Sequence, residues 1–496
     1  MGLIEQSFHF YLRNRAEQLR KASYQPKKFQ ETTLKKLKLK IGVTPSSVKS
    51  GFNKVSTLLD MKQIPPSDYS IMEPEFKIAV ELGKKAQRRF GRSSLVSVAA
   101  TSGTTAEPKR IPINEDYISA YKRFTLMMNA CYNSNTEGIN PLTQGKLLVL
   151  TARPLLGITP GGLPEGFISG FMASRAPFWY RTRVLPSRDI LMLPTWEEKM
   201  DKVLDQAHRQ KVDSIGSIPA LALTFTERAL IKFGVENIRE LWPSFRGLLY
   251  SGVGLSSGDK KRFDSLWGAT PDNPISYWEM YAATEAQVGH TYDRNWPGMV
   301  FNPFENFYQF LENDNGPLLQ LHELEAGRRY AILITTPGGL INYRIGDWVE
   351  ITSVNPLTFK IAGRDKDEIS LATEKLNLLQ LQSAISKVSE LIKVPIPEFV
   401  FWPKEGRPHN LVCGLPAHTV KDLRSMSQLL DEKLGERNPS YKEMRMNNMI
   451  YGPLEIQELP PEIFKAYRIK NLDKGQFKQK RVFKSEETFK REYSLY

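Results

Sequence analysis

Residues able to do chemistry are concentrated in a few short segments of this 496-residue chain. In Thr101-Ser-Gly-Thr-Thr-Ala-Glu-Pro-Lys-Arg110, small residues leave backbone N–H groups uncovered, and Ser102, Thr104 and Thr105 add hydroxyls around Gly103. With Lys109 and Arg110 adding charge, such a loop can wrap a polyphosphate. It lacks the Gly and Lys spacing of a P-loop, and an ordinary surface turn of the same composition is the competing reading. A second segment, Tyr277-Trp-Glu-Met-Tyr-Ala-Ala-Thr-Glu285, is apolar enough to be a strand end yet finishes in Tyr281, Thr284 and Glu285. A carboxylate beside a polyphosphate loop suits Mg²⁺, which takes one or two protein oxygens and completes its shell with water and phosphate; a solvated loop glutamate is the alternative. A third, Tyr343-Arg-Ile-Gly-Asp347, follows the Gly338-Gly339 turn. Asp347 can accept two hydrogen bonds from a ribose diol, or stand as a surface residue of a hairpin.

Other chemistries find little support. Cys131 and Cys413 are the only cysteines. They form neither a disulfide framework nor a redox pair, which points to a reducing, cytoplasmic setting and to buried structural roles. The six histidines show no metal-binding spacing, and no Ser-His-Asp or Cys-His set is recognisable. His290, just past the second segment, could serve an amine as base, against a heavier non-catalytic reading. The balance of 68 Lys and Arg against 54 Asp and Glu gives +14, which attracts phosphate-bearing partners without choosing among nucleotide, nucleic acid and lipid. The basic stretch from Lys465 to Arg491 fits a nucleic-acid surface or the rim of an anion site. No apolar run approaches the roughly 18 residues of a membrane span, and the first residues break into charge before a signal-peptide core can form.

These segments need a scaffold. The length allows about three domains of roughly 150 residues, or a large body with an appendage. Buried strands are expected at Ser94–Ala100, Lys146–Thr151, Arg246–Ser251 and Arg329–Thr335, separated by helices such as Trp196–Gln210 and Ile218–Phe233; that alternation predicts an α/β body. Residues 1 to 45 read as helices packing one face on it. An acyl-sized apolar pocket is expected where Thr159–Gly170, with Gly161 and Gly162, runs into Phe171, Met172, Phe178, Trp179 and Tyr180, faced by Ser214–Ala220 with Ile218 and Pro219; ordinary core aromatics are the alternative. The polar run Phe359–Ser370 reads as a linker or hinge before a small α+β unit.

Taken in order, SGTT, YAATE, YRIGD and Gly363-Arg364 with an acidic hinge resemble the landmarks of the adenylate-forming superfamily. Gln63-Ile-Pro-Pro-Ser-Asp-Tyr69, Thr336-Pro-Gly-Gly-Leu340, Glu374-Lys-Leu376 and Gly475-Gln-Phe-Lys-Gln-Lys-Arg481 narrow the likeness to the GH3 acyl acid amido synthetases, and the length is more like that of their bacterial members. The resemblance implies an α/β adenylate-forming fold: a large N-terminal domain of β-sheets flanked by helices (1–362), a hinge (363–370) and a smaller mobile α+β C-terminal domain (371–496). It implies ATP and Mg²⁺, a carboxylic acid activated as its adenylate, and acyl transfer to an amine, usually of an amino acid. By position, Ser102, Gly103, Thr104 and Thr105 would hold phosphates. Tyr281 and Ala282 would lie by the nucleotide, Tyr281 next to adenine, with Thr284 at the α-phosphate and Glu285 at magnesium. Asp347 would take the ribose, joined by Arg364, and Lys375 and Lys478 would arrive from the small domain. Lys480 stands where the family usually has Pro, and Tyr308-Gln309-Phe310 where it has a Phe-Glu-Phe type run. A thiol acceptor such as coenzyme A, and a non-catalytic basic scaffold binding RNA or an anionic membrane, are the alternatives. A monomer without nucleic-acid partners is expected.

Overall fold

The predicted strands form in a computed structural model that describes every residue except 1–2, 102–108, 136–144, 152–153, 176–180, 194, 253, 256, 314–315, 365–367, 370–375, 405–408, 439–440, 443–444, 446–451, 472–478, 494 and 496. Lys146–Val149, Val212–Ser217, Gly247–Ser251 and Ser276–Ala282 run parallel side by side, and the second of them is buried at every position, as strands covered on both faces are. From Ser276–Ala282 the same sheet continues antiparallel through Gln287–Thr291, Met299–Phe301, Leu357–Arg364, Tyr343–Val354 and Arg329–Thr335. Helices cover the parallel half: Val203, Leu204 and Ala207 of Trp196–His208 and Leu221, Ala222 and Phe225 of Pro219–Phe233 turn to one core with Ile215 and Leu248. Among the described residues no helix is long and apolar enough to cross a membrane.

The structure adds one strand and changes one expectation. After the first loop the chain forms a further strand, Arg110–Asn114, antiparallel to Leu95–Ala100, before any helix starts. This strand lies at the edge of its sheet, so Pro112 costs no ladder bond there. The helix starts where Asn114, fully buried, accepts from the Tyr117 N–H at 2.9 Å as an N-cap. The amide of Asn114 also ties the carbonyls of Phe90 and Pro337 together, at 3.1 Å each. Likewise Phe359–Arg364 is not linker but the end of the strand Leu357–Arg364, anchored by fully buried Phe359 and Ala362. At the N-terminus, Leu12, Ala16 and Leu19 share one helical face and pack on Cys131, Tyr132 and Trp278.

A smaller α+β unit follows. Its strands Val400–Lys404, Asn410–Pro416 and Glu455–Leu459 form one sheet. Phe401, Leu411 and Cys413 face helices Leu378–Ile392 and Leu423–Arg437, while Trp402 and Val412 face Pro461–Asn471 and Glu486–Tyr493. The unit docks on the body through a charged cluster. Arg262 of the body bonds Glu227 at 2.6 Å and Glu398 of the small unit at 3.1 Å, Arg481 reaches back to Asp259 at 3.1 Å, and Arg468 pairs with Glu398. Part of the basic C-terminal stretch is thereby consumed as buried counter-charge. Burial pushes the Glu398 carboxyl up, but Arg468, Arg481, Gln479 and Arg262 outweigh it and hold it below the usual carboxylate range.

Removing one partner of such a buried pair leaves an uncompensated charge. Glu398→Ala is therefore expected to lower stability by about 3–5 kcal/mol in urea unfolding at neutral pH. Because the folded pKa is depressed, the Glu398 contribution is full above the unfolded value near about 4.3 and is lost as pH falls through the lower folded one. The E398A variant should be correspondingly less sensitive to pH in that acid window.

Candidate nucleotide and acyl site

The site is built around the carboxyl ends of the parallel strands, where open α/β sheets place their ligands. Along Ser276–Ala282 successive side chains point to opposite faces. Met280 and Ala282 face an apolar cavity of about 340 Å³, within the size of small-molecule sites. Leu147, Val149, Gly216 and Leu249 of the neighbouring strands form its floor, and Met128 and Met172 reach in from the helices Glu115–Asn135 and Ile168–Ser174. Glu279 faces the other way, into a cleft of about 410 Å³. Its wall from the body includes Gly254, Asp347, Lys360 and Gly363, and its wall from the small unit includes Leu378, Gln382, Gln479 and Lys480.

Asp347 is 3% exposed and accepts a hydrogen bond from the Tyr281 hydroxyl at 2.6 Å. Gly346 before it has φ +92°, a conformation that a side chain disfavours, which accounts for the glycine of the YRIGD segment. The strand carrying Asp347 is held at its start by the IPPSDY segment, since Ser67 exchanges backbone bonds with Asn342 and Arg344 at 2.9 and 2.8 Å. Two residues on, Tyr69 supports the base of the SGTT loop: its hydroxyl accepts from the Arg110 N–H at 3.2 Å, and Lys109 Nζ lies 5.4 Å from its ring centre.

Thr284 and Glu285 sit in the tight turn closed by Ala283 N–H to the Ala286 carbonyl at 2.8 Å. The Tyr117 hydroxyl donates to the Thr284 carbonyl at 2.9 Å and accepts from the Gln287 amide at 2.7 Å. Glu285 is 6% exposed, and Lys109 Nζ is 3.9 Å from its carboxylate. This hard oxygen donor, next to the base of the loop, fits a magnesium ion that draws its remaining ligands from phosphate and water. Among the described residues no group of three acidic, His or Cys side chains forms an all-protein metal cage.

Several expected residues take other places. Tyr281 has its ring 2% exposed, tilted against Phe359 at 6.3 Å, and its hydroxyl serves Asp347. Ala282 turns to the apolar cavity. Ile218 lines that cavity, whereas Pro219 begins a helix and borders a separate small crevice near Arg481. Phe171 packs in the core beneath Arg175, so the helix Ile168–Ser174 gives the cavity Met172 and Ala173 instead. Gly161 is a packing glycine, because a Cβ there would fall 2.2 Å from the Gly83 nitrogen, and Gly162 turns with φ +78°; neither lines the cavity. Ser102, Gly103, Thr104, Thr105, Lys375, Lys478, Phe178, Trp179 and Tyr180 lie outside the described residues. Arg364 is placed by its backbone alone, opposite Asp347 in the strand register. His290 is 1% exposed, edge-on to Phe124 at 5.2 Å, and lines neither cavity. Sequence reasoning passed over Glu279, whose signal was a lone acid inside an apolar strand. Burial raises its pKa against the opposing pull of Lys260, Tyr250 and Lys360.

With this geometry in view, models of the GH3 family N-terminal, central and C-terminal domains match residues 15–224, 296–364 and 379–487. The chain belongs to the GH3 family. It is 24% identical over 293 residues to indole-3-acetic acid-amido synthetase GH3.3 of Arabidopsis thaliana, covering 53% of this chain and 46% of that protein. It is 24% identical over 216 residues to indole-3-acetic acid-amido synthetase GH3.8 of Oryza sativa subsp. indica, covering 37% and 34%. The chain thus spans less than half the length of these curated relatives. In structure it is similar to the GH3.15 acyl acid amido synthetase, with TM-score 0.77 and 16% identity over 97% of this GH3 chain and 94% of that one. It is also similar to 2-hydroxyisobutyryl-CoA ligase in complex with an acyl-AMP, with TM-score 0.57 and 13% identity over 100% and 93%. The fold is that of the adenylate-forming enzymes.

His290 gives a pH test independent of ligand. Burial pulls its pKa down to about 4, while an unfolded histidine titrates near about 6.5. The unfolded state therefore binds the proton first, and stability is lost as pH falls from the unfolded to the folded value. The contribution is about 2 kcal/mol between pH 7.5 and 5. Urea unfolding of His290→Asn should show a smaller acid-induced loss than the parent across that interval.

Proposed function

We propose that this GH3 chain is an ATP-dependent, AMP-forming ligase that adenylates a carboxylic acid with an apolar body and transfers the acyl group to the amine of an amino acid. The observation that carries this reading is the shared wall: one strand presents Met280 and Ala282 to an apolar cavity and Glu279 to the cleft that contains Asp347, and then turns into Thr284 and Glu285. An acid buried tail-first in the cavity has its carboxylate at the end of that strand, where a nucleotide held by its ribose at Asp347 would bring the α-phosphate. The names of the amido synthetase relatives support an amino acid as acceptor.

In the first half-reaction a carboxylate oxygen of the acid attacks the α-phosphorus, and pyrophosphate leaves with the electrons of the broken P–O bond. Glu285 would hold magnesium, which supplies charge neutralisation at the phosphates. Donors of the Ser102, Gly103, Thr104 and Thr105 loop, Thr284, and the cations Lys375, Arg364 and Lys478 would share the remaining negative charge. In the second half-reaction the amine attacks the acyl carbon, AMP departs, and the amine proton is lost to solvent or product. The acyl-adenylate is a mixed anhydride that water destroys, so closure of the cleft by the small unit protects it. Such an enzyme suits a reducing cytoplasm and needs no partner chain.

Incubation with ATP, magnesium, amino acids and a panel of apolar carboxylic acids is expected to release pyrophosphate only when an accepted acid is present, and to yield the amide when the amine is added. Asp347→Ala and Lys478→Ala should each slow adenylation by about 10²–10³-fold. Gly216→Leu, which places a side chain on the cavity floor, should abolish use of the bulkier acids while leaving ATP binding intact. Absence of acid-dependent pyrophosphate release across the panel, or full activity in both D347A and K478A, would contradict the assignment.

A further inference from the structure

We infer that Tyr281 is a positioning residue for nucleotide recognition: its hydroxyl fixes the Asp347 carboxylate in the orientation that accepts the ribose hydroxyls. This rests on the assignment of Asp347 to the ribose and extends it to the hydroxyl bonded to that carboxylate.

Tyr281 and Asp347 are 66 residues apart in sequence, and in the sheet three strands lie between the strands that carry them. Their 2.6 Å bond therefore reaches across the curved sheet and not along a ladder. The phenol has no freedom to follow the carboxylate. Its ring is 2% exposed, and Phe359, on the strand that ends at Gly363 and Arg364, packs against it at 6.3 Å. The carboxylate stands at a wall of the cleft, where the Tyr281 bond reaches its Oδ2. An ionised carboxylate offers roughly four acceptor positions, and a short bond from a neutral hydroxyl is of the stronger, charge-assisted kind. By occupying one position on Oδ2, Tyr281 limits which of the others can face the cleft. A diol whose two hydroxyls have a set spacing is accepted well only by a carboxylate held in one plane, and the buried phenol contributes to holding it there before the nucleotide arrives.

The test is Tyr281→Phe, which keeps the ring in its packed position and removes only the hydroxyl. Steady-state kinetics should show KM for ATP raised on the order of tenfold or more, as for loss of a buried hydrogen bond to a charged group, with KM for acid and amine unchanged. The parent's preference for ATP over 2′-deoxyATP and 3′-deoxyATP should shrink by a similar factor. In an Asp347→Asn background the same substitution should add little. A general packing defect would instead lower the melting temperature and disturb all substrates together. Equal losses for ATP and the deoxynucleotides, or parental ATP KM and discrimination in Y281F, would overturn the positioning role while leaving Asp347 in place. If the parent itself uses ATP and both deoxynucleotides alike, the ribose assignment of Asp347 falls, and the inference with it, whereas acid-dependent pyrophosphate release would still stand.

Discussion

The alternation of side chains along one strand is the constraint on which the rest of the molecule turns. Because Met280 and Ala282 face one way and Glu279 the other, the strand Ser276–Ala282 separates an apolar cavity from a polar cleft by the thickness of a single backbone. A slip of one residue in its register would exchange the two faces. The register is secured on one side by parallel pairing with Gly247–Ser251 and on the other by antiparallel pairing with Gln287–Thr291. The strand lies where the sheet changes from parallel to antiparallel, so the loop after it is free to carry Thr284 and Glu285 instead of a covering helix.

Three carboxylates removed from water are each met by a donor or a cation. Tyr281 meets Asp347, Lys109 meets Glu285, and Arg262 and Arg468 meet Glu398. The strengths differ with burial. The Lys109–Glu285 contact is long, and its lysine is over a third exposed, so it can open to admit a divalent cation and phosphate at little cost. The Glu398 cluster is deeply buried and serves to dock the small unit on the body. The excess of +14 on the chain is thus partly structural, in Arg468 and Arg481, and partly gathered at the cleft in Lys260, Lys360 and Lys480.

Much of the scaffold was legible because its strands are short unbroken apolar runs bounded by polar residues. Leu95–Ala100, Gly247–Ser251 and Arg329–Thr335 lie within a residue of their expected limits. The site segments were legible by residue type, since few side chains besides Asp347 and Glu285 can serve a ribose or a divalent cation. What stayed hidden depends on contacts distant in sequence. Nothing local in Arg110–Asn114 distinguishes an edge strand from a helix lead-in until Leu95–Ala100 pairs with it. Phe359–Arg364 reads as a polar linker because Lys360 and Arg364 carry charge around a glycine, while Phe359 and Ala362 are fully buried. Gly161 looks like a pocket glycine but is required by Gly83, and Phe171 is drawn into the core while Met172, one residue on, takes the cavity. The phenol of Tyr281 was visible; its partner was not.

The central claim, that cavity and cleft serve the two ends of one acyl-adenylate, is tested most directly by a crystal structure with a non-hydrolysable acyl-sulfamoyl adenosine whose acyl group is apolar. The expected result is a single bound molecule with its ribose hydroxyls on Asp347 and its acyl tail between Met280, Leu249 and Met172. A ligand that binds with its tail outside that cavity, or with its ribose away from Asp347, would contradict the account.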